Sequence, residues 1–317
     1  LKCWGNDLNG QLGNGAATSN VLAPPSTPID LGTGRTAVAV SAGREHACVI
    51  LDNGDLKCWG DDAYGQLGDG GSNTDIAAPS STAIDLGTGR TAVAVDAGGQ
   101  YTCAILDNGD AKCWGRDSSG QLGDGGSSTT TTAPSSTAID LGTGRTAVAL
   151  SASIFLHTCA ILDNGDAKCW GEYDRGRLGY GQSGQGDAST PPSASINFGT
   201  GRTAVAIVAG SEHTCGLLND GNLSCWGNDN KGQLGDGAGL YDKWTPVLVA
   251  GSDTWDSSTG ALVINNVTGA TCTVSPALPT GLNLDSGTCT ISGTPTVATT
   301  NTSYNVTALI GGATYHL

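Results

Sequence analysis

Cysteine is the residue type whose spacing points most directly to chemistry in this 317-residue sequence. Eight of the 11 cysteines form four pairs with nine residues between the two members. Four copies of one spacing across a turn indicate disulfide bonds, the alternative being free cysteines in a core. The predicted bonds are Cys48–Cys58, Cys103–Cys113, Cys159–Cys169 and Cys215–Cys225. Because disulfides persist in oxidising compartments, we expect an extracellular or cell-surface protein.

The other three cysteines need separate explanations. Cys272 and Cys289 form a fifth predicted pair. Cys3 stands where the second member of a pair would stand, so we expect its partner to precede Leu1. The sequence contains no methionine, and this also predicts a processed or partial chain.

Histidine and aspartate are the other candidates for chemistry. His46, His157 and His213 each precede a paired cysteine by two residues, and Tyr101 holds that place in the remaining copy. Histidines one repeat apart can surround an axis and bind a metal, but the tyrosine and the lack of matching carboxylates favour a packing role. Acidic turns such as residues 52–55 lack the ligands at alternate positions that a calcium loop needs. The turn conformation explains these residues, and weak binding of a cation at the surface is the alternative. We expect no metal or cofactor and, since no nucleophile–base constellation occurs, no enzymatic activity.

The charge balance excludes two classes of partner. The chain has 14 basic and 29 acidic residues, a net charge of −15. Such a surface disfavours nucleic acids and anionic membranes, and no apolar run is long enough to span a bilayer. Acceptor motifs for N-linked glycans, which are common by chance, occur at Asn222, Asn266, Asn301 and Asn305.

The element that must position each cysteine pair is a β-hairpin. In the first copy, strand-forming residues flank an Asp-Asn-Gly turn at residues 52–54. Cys48 and Cys58 face each other only if all three residues form the loop, with Gly54 in the left-handed region. A two-residue Asn-Gly turn would instead place Cys48 opposite Trp59, with the two sulfurs on opposite faces. The sequence therefore predicts a three-residue loop and a directly opposed cysteine pair.

The hairpin recurs with a fixed period. Trp-Gly pairs are spaced by 55 to 56 residues and begin at Trp4, Trp59, Trp114, Trp170 and Trp226. A period near 50 that contains only strand signals predicts a propeller-like or solenoid array. One period, residues 37–91, contains four predicted strands, at residues 37–40, 46–51, 55–60 and 83–86. This is the composition of a four-stranded propeller blade.

A second motif follows each Trp-Gly pair. Gly-Gln-Leu-Gly occurs at residues 10–13, 65–68, 120–123 and 232–235, and Arg177 replaces the glutamine at residues 176–179. Together with the preceding cysteine hairpin, this pattern resembles the RCC1 repeat of β-propeller proteins. The resemblance covers residues 1–250 and implies an all-β propeller of four-stranded blades, with four complete repeats and one partial repeat.

Residues 251–317 have a different all-β pattern. Leu-Pro-Thr-Gly at residues 278–281 and Ser-Gly-Thr-Pro at residues 292–295 resemble the Ig-like (cadherin-like) modules of prokaryotic surface proteins. The resemblance implies a small β-sandwich that the Cys272–Cys289 bond would staple. Its strands are expected at residues 261–265, 271–275, 288–292, 304–309 and 313–317.

The loops that follow the Trp-Gly pairs differ most between the copies. In a propeller these loops share one rim, and loops on a rigid scaffold commonly bind partners. Aromatic and basic residues are favoured at binding hot spots. Those of the first loop set are Tyr64, Arg116, Tyr173, Arg175 and Lys231, and a second loop set adds Tyr180, Tyr241 and Trp244. Drift in solvated loops is the alternative explanation.

These features together predict a secreted or cell-surface protein with a structural or adhesive function. A further hypothesis is that an open propeller end accepts a neighbouring copy, giving a homopolymer, filament or surface layer. The expected partners are proteins, a second copy of the chain or a glycan. The alternative function is a soluble extracellular module that binds a protein or inhibits an enzyme through the same rim loops.

Overall fold

A computed structural model describes residues 1–250 of the chain, apart from 18–19, 72, 128–129 and 182–185. Beyond residue 250 it describes residue 278 and the backbone of five strands. The regular elements of this part of the chain are β-strands and one 3₁₀ turn, Asp174–Gly176. None of the described residues lies in a helix with the length and apolar character needed to cross a membrane.

The repeats fold into four antiparallel sheets, numbered 1 to 4 in chain order. Sheet 1 contains β1 Ala37–Ala42, β2 His46–Leu51 and β3 Leu56–Gly60, and sheet 2 contains β4 Ala92–Ala97, β5 Tyr101–Leu106 and β6 Ala111–Gly115. Sheet 3 contains β7 Ala147–Ala152, β8 His157–Leu162 and β9 Ala167–Gly171. Sheet 4 contains β10 Ala204–Ala209, β11 His213–Leu218, β12 Leu223–Gly227 and β13 Lys243–Leu248.

The predicted hairpin register is confirmed. Cys48 lies opposite Cys58, and the Gly54 N–H donates to the Leu51 carbonyl at 2.8 Å with a φ of 81° at Gly54. The other three hairpins have the same register, and all four cysteine pairs form disulfide bonds with Cα atoms 4.1 Å apart. Closing such a loop stabilises the fold by about 2–3 kcal/mol in the chain-entropy treatment.

The fourth strand predicted at residues 83–86 does not form. Ile84 donates one backbone hydrogen bond to the Leu56 carbonyl, and Ile84 and Leu86 are buried. An extended segment alternates its side chains whether or not it joins a ladder, so the alternation signalled burial and not pairing. The outer edge of sheet 1 is instead an isolated bridge between Gly60 and Ile76. Among the residues that the structure describes, a full fourth strand, β13, is found in sheet 4 alone.

The hydrophobic core is divided among the interfaces between successive sheets. Trp114 of sheet 2, for example, is fully buried against Ile50 and Leu56 of sheet 1. The disulfide of sheet 1 belongs to the same cluster, so its sulfurs fill core space as well as closing a loop. The described sheets pack each on the next and do not close into a ring.

The Gly-Gln-Leu-Gly segment joins each repeat to the following one. The Trp114 indole donates to the Gln66 carbonyl at 3.0 Å, and the Thr102 hydroxyl donates to the same oxygen at 2.8 Å. Gly68, with a φ of 74°, lies against the Trp114 ring, where a Cβ would stand 2.8 Å from Cδ1. The same indole bond occurs at Trp59, Trp170 and Trp226, with lengths of 2.9 to 3.0 Å.

The histidines before the hairpins cross the same interfaces. His46 Nε2 lies 2.9 Å from the Thr102 hydroxyl, and His157 Nε2 lies 3.0 Å from that of Thr214. Tyr101, at the equivalent place in sheet 2, donates to the His157 carbonyl at 2.6 Å. Burial lowers the pKa of His46 to about 4 and that of His157 to about 3.

The five C-terminal strands are β14 Thr271–Ser275, β15 Leu282–Asp285, β16 Thr290–Gly293, β17 Asn305–Ile310 and β18 Ala313–His316. They form an antiparallel sheet in the order β14-β17-β18 and the pair β15-β16. Four of them lie within two residues of predicted strands, whereas β15 was not predicted. The strand predicted at residues 261–265 and Cys289 lie outside the described residues, so the Cys272–Cys289 bond stays a prediction.

The inter-sheet packing predicts unequal effects of two glycine substitutions. Gly68→Ala and Gly70→Ala both place a side chain at positive φ, which costs about 1–2 kcal/mol. Only Gly68→Ala drives a methyl group into the Trp114 ring, since the space beside Gly70 is open. We expect Gly68→Ala to lose about 1–3 kcal/mol more unfolding free energy, as overpacking does. Urea titrations measure the difference, and equal losses would contradict the packing described.

The buried histidines predict a pH dependence of stability. Between pH 6.5 and about 3 the unfolded chain protonates His157 while the folded chain does not, so acidification lowers the unfolding free energy. The contribution is about 1.4 kcal/mol for each pH unit below the unfolded pKa. We expect His157→Gln to lose less stability than the parent between pH 7 and 5.

The comparison must be made between variant and parent, because carboxylates act in the opposite direction. Desolvation raises the pKa of Asp62 and of Asp117 to about 6, so these groups stabilise the fold as pH falls from 6 towards 4. Both proteins keep these groups, and the difference between their urea midpoints isolates the histidine. Parallel pH profiles would show that His157 is charged in the folded state.

Candidate functional site

The loops after the Trp-Gly pairs lie beside the turns that join the first two strands of the same sheet. The Arg116 N–H donates to the Gln100 carbonyl at 2.9 Å, and the Glu172 N–H donates to the Leu156 carbonyl at 2.7 Å. Together these segments form one edge of the sheets, which we call the loop rim. It comprises residues 43–45, 61–66, 98–100, 116–121, 153–156, 172–177, 210–212 and 228–233.

A buried carboxylate fixes the shape of most of these loops. Asp62 Oδ1 accepts the Leu67 N–H at 2.9 Å, and Asp117 Oδ1 accepts the Leu122 N–H at 3.1 Å. Asp7 and Asp229 make the same bond. The aspartate at the second position after Trp-Gly therefore maintains the loop conformation. Residues that contact a partner are expected at the other positions of these loops.

Two predicted rim residues from neighbouring repeats lie together. The Arg116 guanidinium lies over the Tyr64 ring, 5.3 Å from its centroid, and donates to Gln100 Oε1 at 2.6 Å. Cation–π stacking and the hydrogen bond to the Gln100 side chain hold the guanidinium in one orientation. Arg116 is therefore presented to solvent with its geometry already set.

The third loop places its predicted residues differently. Tyr173 stands where the other loops have aspartate, is 6% exposed, and packs on Trp244 at 5.9 Å between ring centroids. It therefore offers no ring face to a partner. Arg175 lies within 4 Å of Glu212 and Asp242, whose carboxylates neutralise it.

The remaining predicted residues are scattered. Tyr180 accepts the Cys169 N–H at 3.0 Å, and burial raises the pKa of its hydroxyl. Lys231 and Tyr241 are exposed, the latter to 76%. Tyr180 also lines a groove of about 690 Å³, walled mainly by small residues such as Ser189 and Thr190 and reaching Thr245 of sheet 4.

The predicted glycosylation sites also lie in different environments. Asn222 is 3% exposed in the turn of the fourth hairpin. Asn305 lies in β17, and Asn266 and Asn301 are outside the described residues. Modification of these asparagines stays a prediction.

Three sheets meet at a cavity of about 240 Å³ in the loop rim, which we call the rim pocket. Arg44 comes from sheet 1, and Ile154 and Phe155 come from the turn of sheet 3. Sheet 2 supplies the residues between them, Gln100, Arg116 and Gln121. Backbone bonds join the turns, since Arg44 N–H donates to the Gly98 carbonyl and Gly99 N–H to that of Ser153.

Arg44, Ile154 and Phe155 were not among the predicted site residues. Ile154 is 56% exposed and Phe155 is 50% exposed, and the two are adjacent in the chain beside the cavity. A signal for them exists in the sequence. The turn of the third copy reads Ser-Ile-Phe-Leu, one residue longer than Gly-Arg-Glu, Gly-Gly-Gln and Gly-Ser-Glu in the other copies.

The rim pocket is rich in hydrogen-bond donors. Arg44 and Arg116 form no ion pair with any described residue, whereas Arg35, Arg90 and Arg145 each pair with an aspartate at the hairpin end of the sheets. This local positive charge lies on a chain with a net charge of −15. Among the described residues, no cluster of three or more His, Cys, Asp or Glu is arranged to hold a metal ion.

Comparison with known families agrees with this architecture. Residues 37–66, 92–121 and 204–233 match the family described as "Regulator of chromosome condensation (RCC1) repeat", and residues 3–50 and 53–105 match a second family of that description. Residues 246–314 match the family described as "Putative Ig domain".

Individual relatives cover the repeat region. The Ultraviolet-B receptor UVR8 of Arabidopsis thaliana is 30% identical over 250 residues, which are 79% of this chain and 54% of the receptor. The E3 ubiquitin-protein ligase HERC2 of Homo sapiens is 29% identical over 254 residues, which are 79% of this chain and 5% of the ligase. The chain thus spans about half of the receptor and a small part of the ligase.

Solved structures share the fold of the repeats. Human WBSCR16 superposes with a TM-score of 0.63 at 24% identity, covering 77% of this chain and 61% of that protein. Yeast RCC1 (Prp20) bound to Kap60 superposes with a TM-score of 0.62 at 17% identity, covering 77% of this chain and 54% of that protein. The chain therefore carries RCC1 repeats within residues 3–233, folded as successive antiparallel sheets, followed by an Ig-like domain at residues 246–314.

Proposed function

We propose that this chain is a secreted or cell-surface protein that binds a partner protein through its loop rim, in an adhesive or structural role. RCC1 repeats followed by an Ig-like domain indicate a protein-interaction module. The observation that carries the proposal is the rim pocket, where exposed Ile154 and Phe155 lie beside Arg44 and Arg116. A binding function, with no catalytic step, is part of the proposal.

The composition of the pocket supports protein binding. Interface hot spots are enriched in aromatic residues and arginine, which combine a large apolar contact with directed hydrogen bonds. Arg116 is already ordered by Tyr64 and Gln100, so little side-chain freedom is lost when a partner binds. Among the proteins that share the fold, yeast RCC1 (Prp20) was crystallised with another protein, Kap60, bound to it.

The disulfide bonds support the compartment. One bond lies in each of the four sheets, and such bonds are rare in reducing cytosol. The net charge of −15 disfavours nucleic acid as the partner. An adhesive protein and a soluble inhibitor would use the same rim, and a stoichiometric complex with one secreted enzyme would favour the inhibitor.

Self-association is a second candidate function, which a separate observation favours. Leu217 of sheet 4 is 39% exposed, whereas the equivalent Ile50 of sheet 1 is 2% exposed because sheet 2 covers it. A second copy that packs sheet against sheet would cover such faces in the way that neighbouring sheets cover each other.

Photo-crosslinking tests partner binding at the rim. A p-benzoylphenylalanine in place of Phe155 should capture a discrete protein from the extracellular fluid of the source cells, because the side chain is half exposed beside the pocket. The same group in place of exposed Asn108, in the hairpin turn at the opposite end of sheet 2, is the matched control. Adducts of equal yield from both positions, or none from position 155, would contradict binding at the rim.

Sedimentation velocity tests self-association. We expect the weight-average sedimentation coefficient to rise with protein concentration and to lose this rise in Leu217→Asp, since a carboxylate is costly to bury. Val93→Asp is the control, because Val93 is also exposed but lies on β4 of sheet 2, outside the sheet that carries Leu217. A coefficient independent of concentration in the parent protein would exclude the second candidate.

A further inference from the structure

We propose that the rim pocket receives an Asp or Glu side chain of the partner, with a neighbouring apolar residue of the partner packed on Ile154 and Phe155. The inference rests on the proposed function that the loop rim binds a protein. It adds the chemical class of the recognised segment, an acidic side chain next to an apolar one.

The first observation is a buried donor that has lost its acceptor. Gln121 lines the pocket and is fully buried, and its Nε2 has no hydrogen-bond partner. In two other repeats the equivalent amide is satisfied, since Gln66 donates to Asp61 Oδ2 at 2.7 Å and Gln11 donates to Asn6 Oδ1 at 3.1 Å. An unsatisfied buried donor is uncommon and costly in a folded protein.

The substitution that removes the acceptor also supplies a cation. Arg116 stands where Asn6 and Asp61 stand in the other repeats, so one position changes from acceptor to donor. Its guanidinium does not pair with a carboxylate of the chain's described residues, and one of its N–H groups is engaged by Gln100. The remaining donors have the planar geometry that carboxylates accept in pairs.

Arg44 adds a second positive charge from sheet 1. It is exposed, lines the same cavity, and makes no ion pair with a described residue. Two unpaired arginines around one unsatisfied amide favour an anion, in contrast to the excess of acidic residues over the whole chain. A cavity of about 240 Å³ admits a group of side-chain size and not an extended ligand.

The apolar edge decides between a free anion and a protein side chain. Ile154 and Phe155 border the cavity and are half exposed. Gly98 and Gly99 of sheet 2 permit their turn to approach, since a Cβ on Gly98 would stand 2.7 Å from the Ser153 carbonyl oxygen. A small inorganic anion would leave this apolar surface uncovered, whereas a polypeptide covers it with the residue next to its carboxylate.

Peptide selection on the intact chain tests the inference. A display library of random dodecapeptides with amidated C-termini should yield binders in which Asp or Glu adjoins an aromatic or aliphatic residue. Replacing that acid by its amide should weaken binding at least tenfold, because the paired arginines then face a neutral group. Free inorganic phosphate at millimolar concentration should not displace these peptides.

Arg116→Asn and Arg44→Gln are the informative variants. Arg116→Asn restores the acceptor that Asn6 provides in the first repeat, so it should fold at least as stably as the parent while losing at least tenfold in peptide affinity. Arg90→Gln is the control, because Arg90 pairs with Asp107 at the opposite end of sheet 2. The affinity of this variant for the peptides should stay within twofold of that of the parent protein.

The outcomes separate the two proposals. The proposal that the rim pocket receives a carboxylate is overturned if the selected peptides contain no acidic residue. It is also overturned if Arg116→Asn and Arg44→Gln both bind the peptides as tightly as the parent protein does. If such peptides still lose affinity in Phe155→Ser, rim binding stands and only its chemistry is wrong. The inference is also overturned if millimolar phosphate displaces all of the selected peptides. It is overturned as well if photo-crosslinking at position 155 gives no adduct.

Discussion

In each of the four sheets, the indole of the Trp-Gly tryptophan donates to a carbonyl of the preceding Gly-Gln-Leu-Gly or Gly-Arg-Leu-Gly segment, and the array depends on this hydrogen bond. A buried indole N–H requires an acceptor, and the loop of the previous sheet supplies one at 2.9 to 3.0 Å. The following glycine must then lack a side chain, because the indole ring occupies that space. One tetrapeptide thus sets the spacing of neighbouring sheets, which explains its recurrence with the tryptophan.

The disulfides act within the same interfaces. Cys48 is fully buried and Cys58 is 4% exposed, and both pack in the cluster that contains Trp114. Aromatic residues make up 5% of the chain, so sulfur supplies apolar volume that other folds take from phenylalanine. The bond therefore joins local closure of a hairpin to packing between sheets.

Departures from the repeat locate the candidate site. In the first loop, the buried Asp7 and a hydrogen bond from the Gln11 amide hold the backbone in place. In the next loop, Asp62 and the Gln66 amide do the same. Arg116 and the Ser-Ile-Phe-Leu turn break this consistency at neighbouring places, leaving an unsatisfied amide, an ordered cation and an exposed apolar pair. Local rules that hold in the first two loops and fail together at this pocket are expected where function competes with stability.

The sequence by itself determined the hairpin register, the four hairpin disulfides and the repeat period, because each depends on residues within one short segment or on copies of it. It did not determine the outer edge of the sheets, since alternation at residues 83–86 reports burial and not strand pairing. The burial of Tyr173 and the rim pocket were decided by tertiary structure alone. Arg44, Arg116 and Phe155 belong to three repeats, and only the stacking of sheets through the tryptophan bonds brings side chains so far apart in the chain to one cavity.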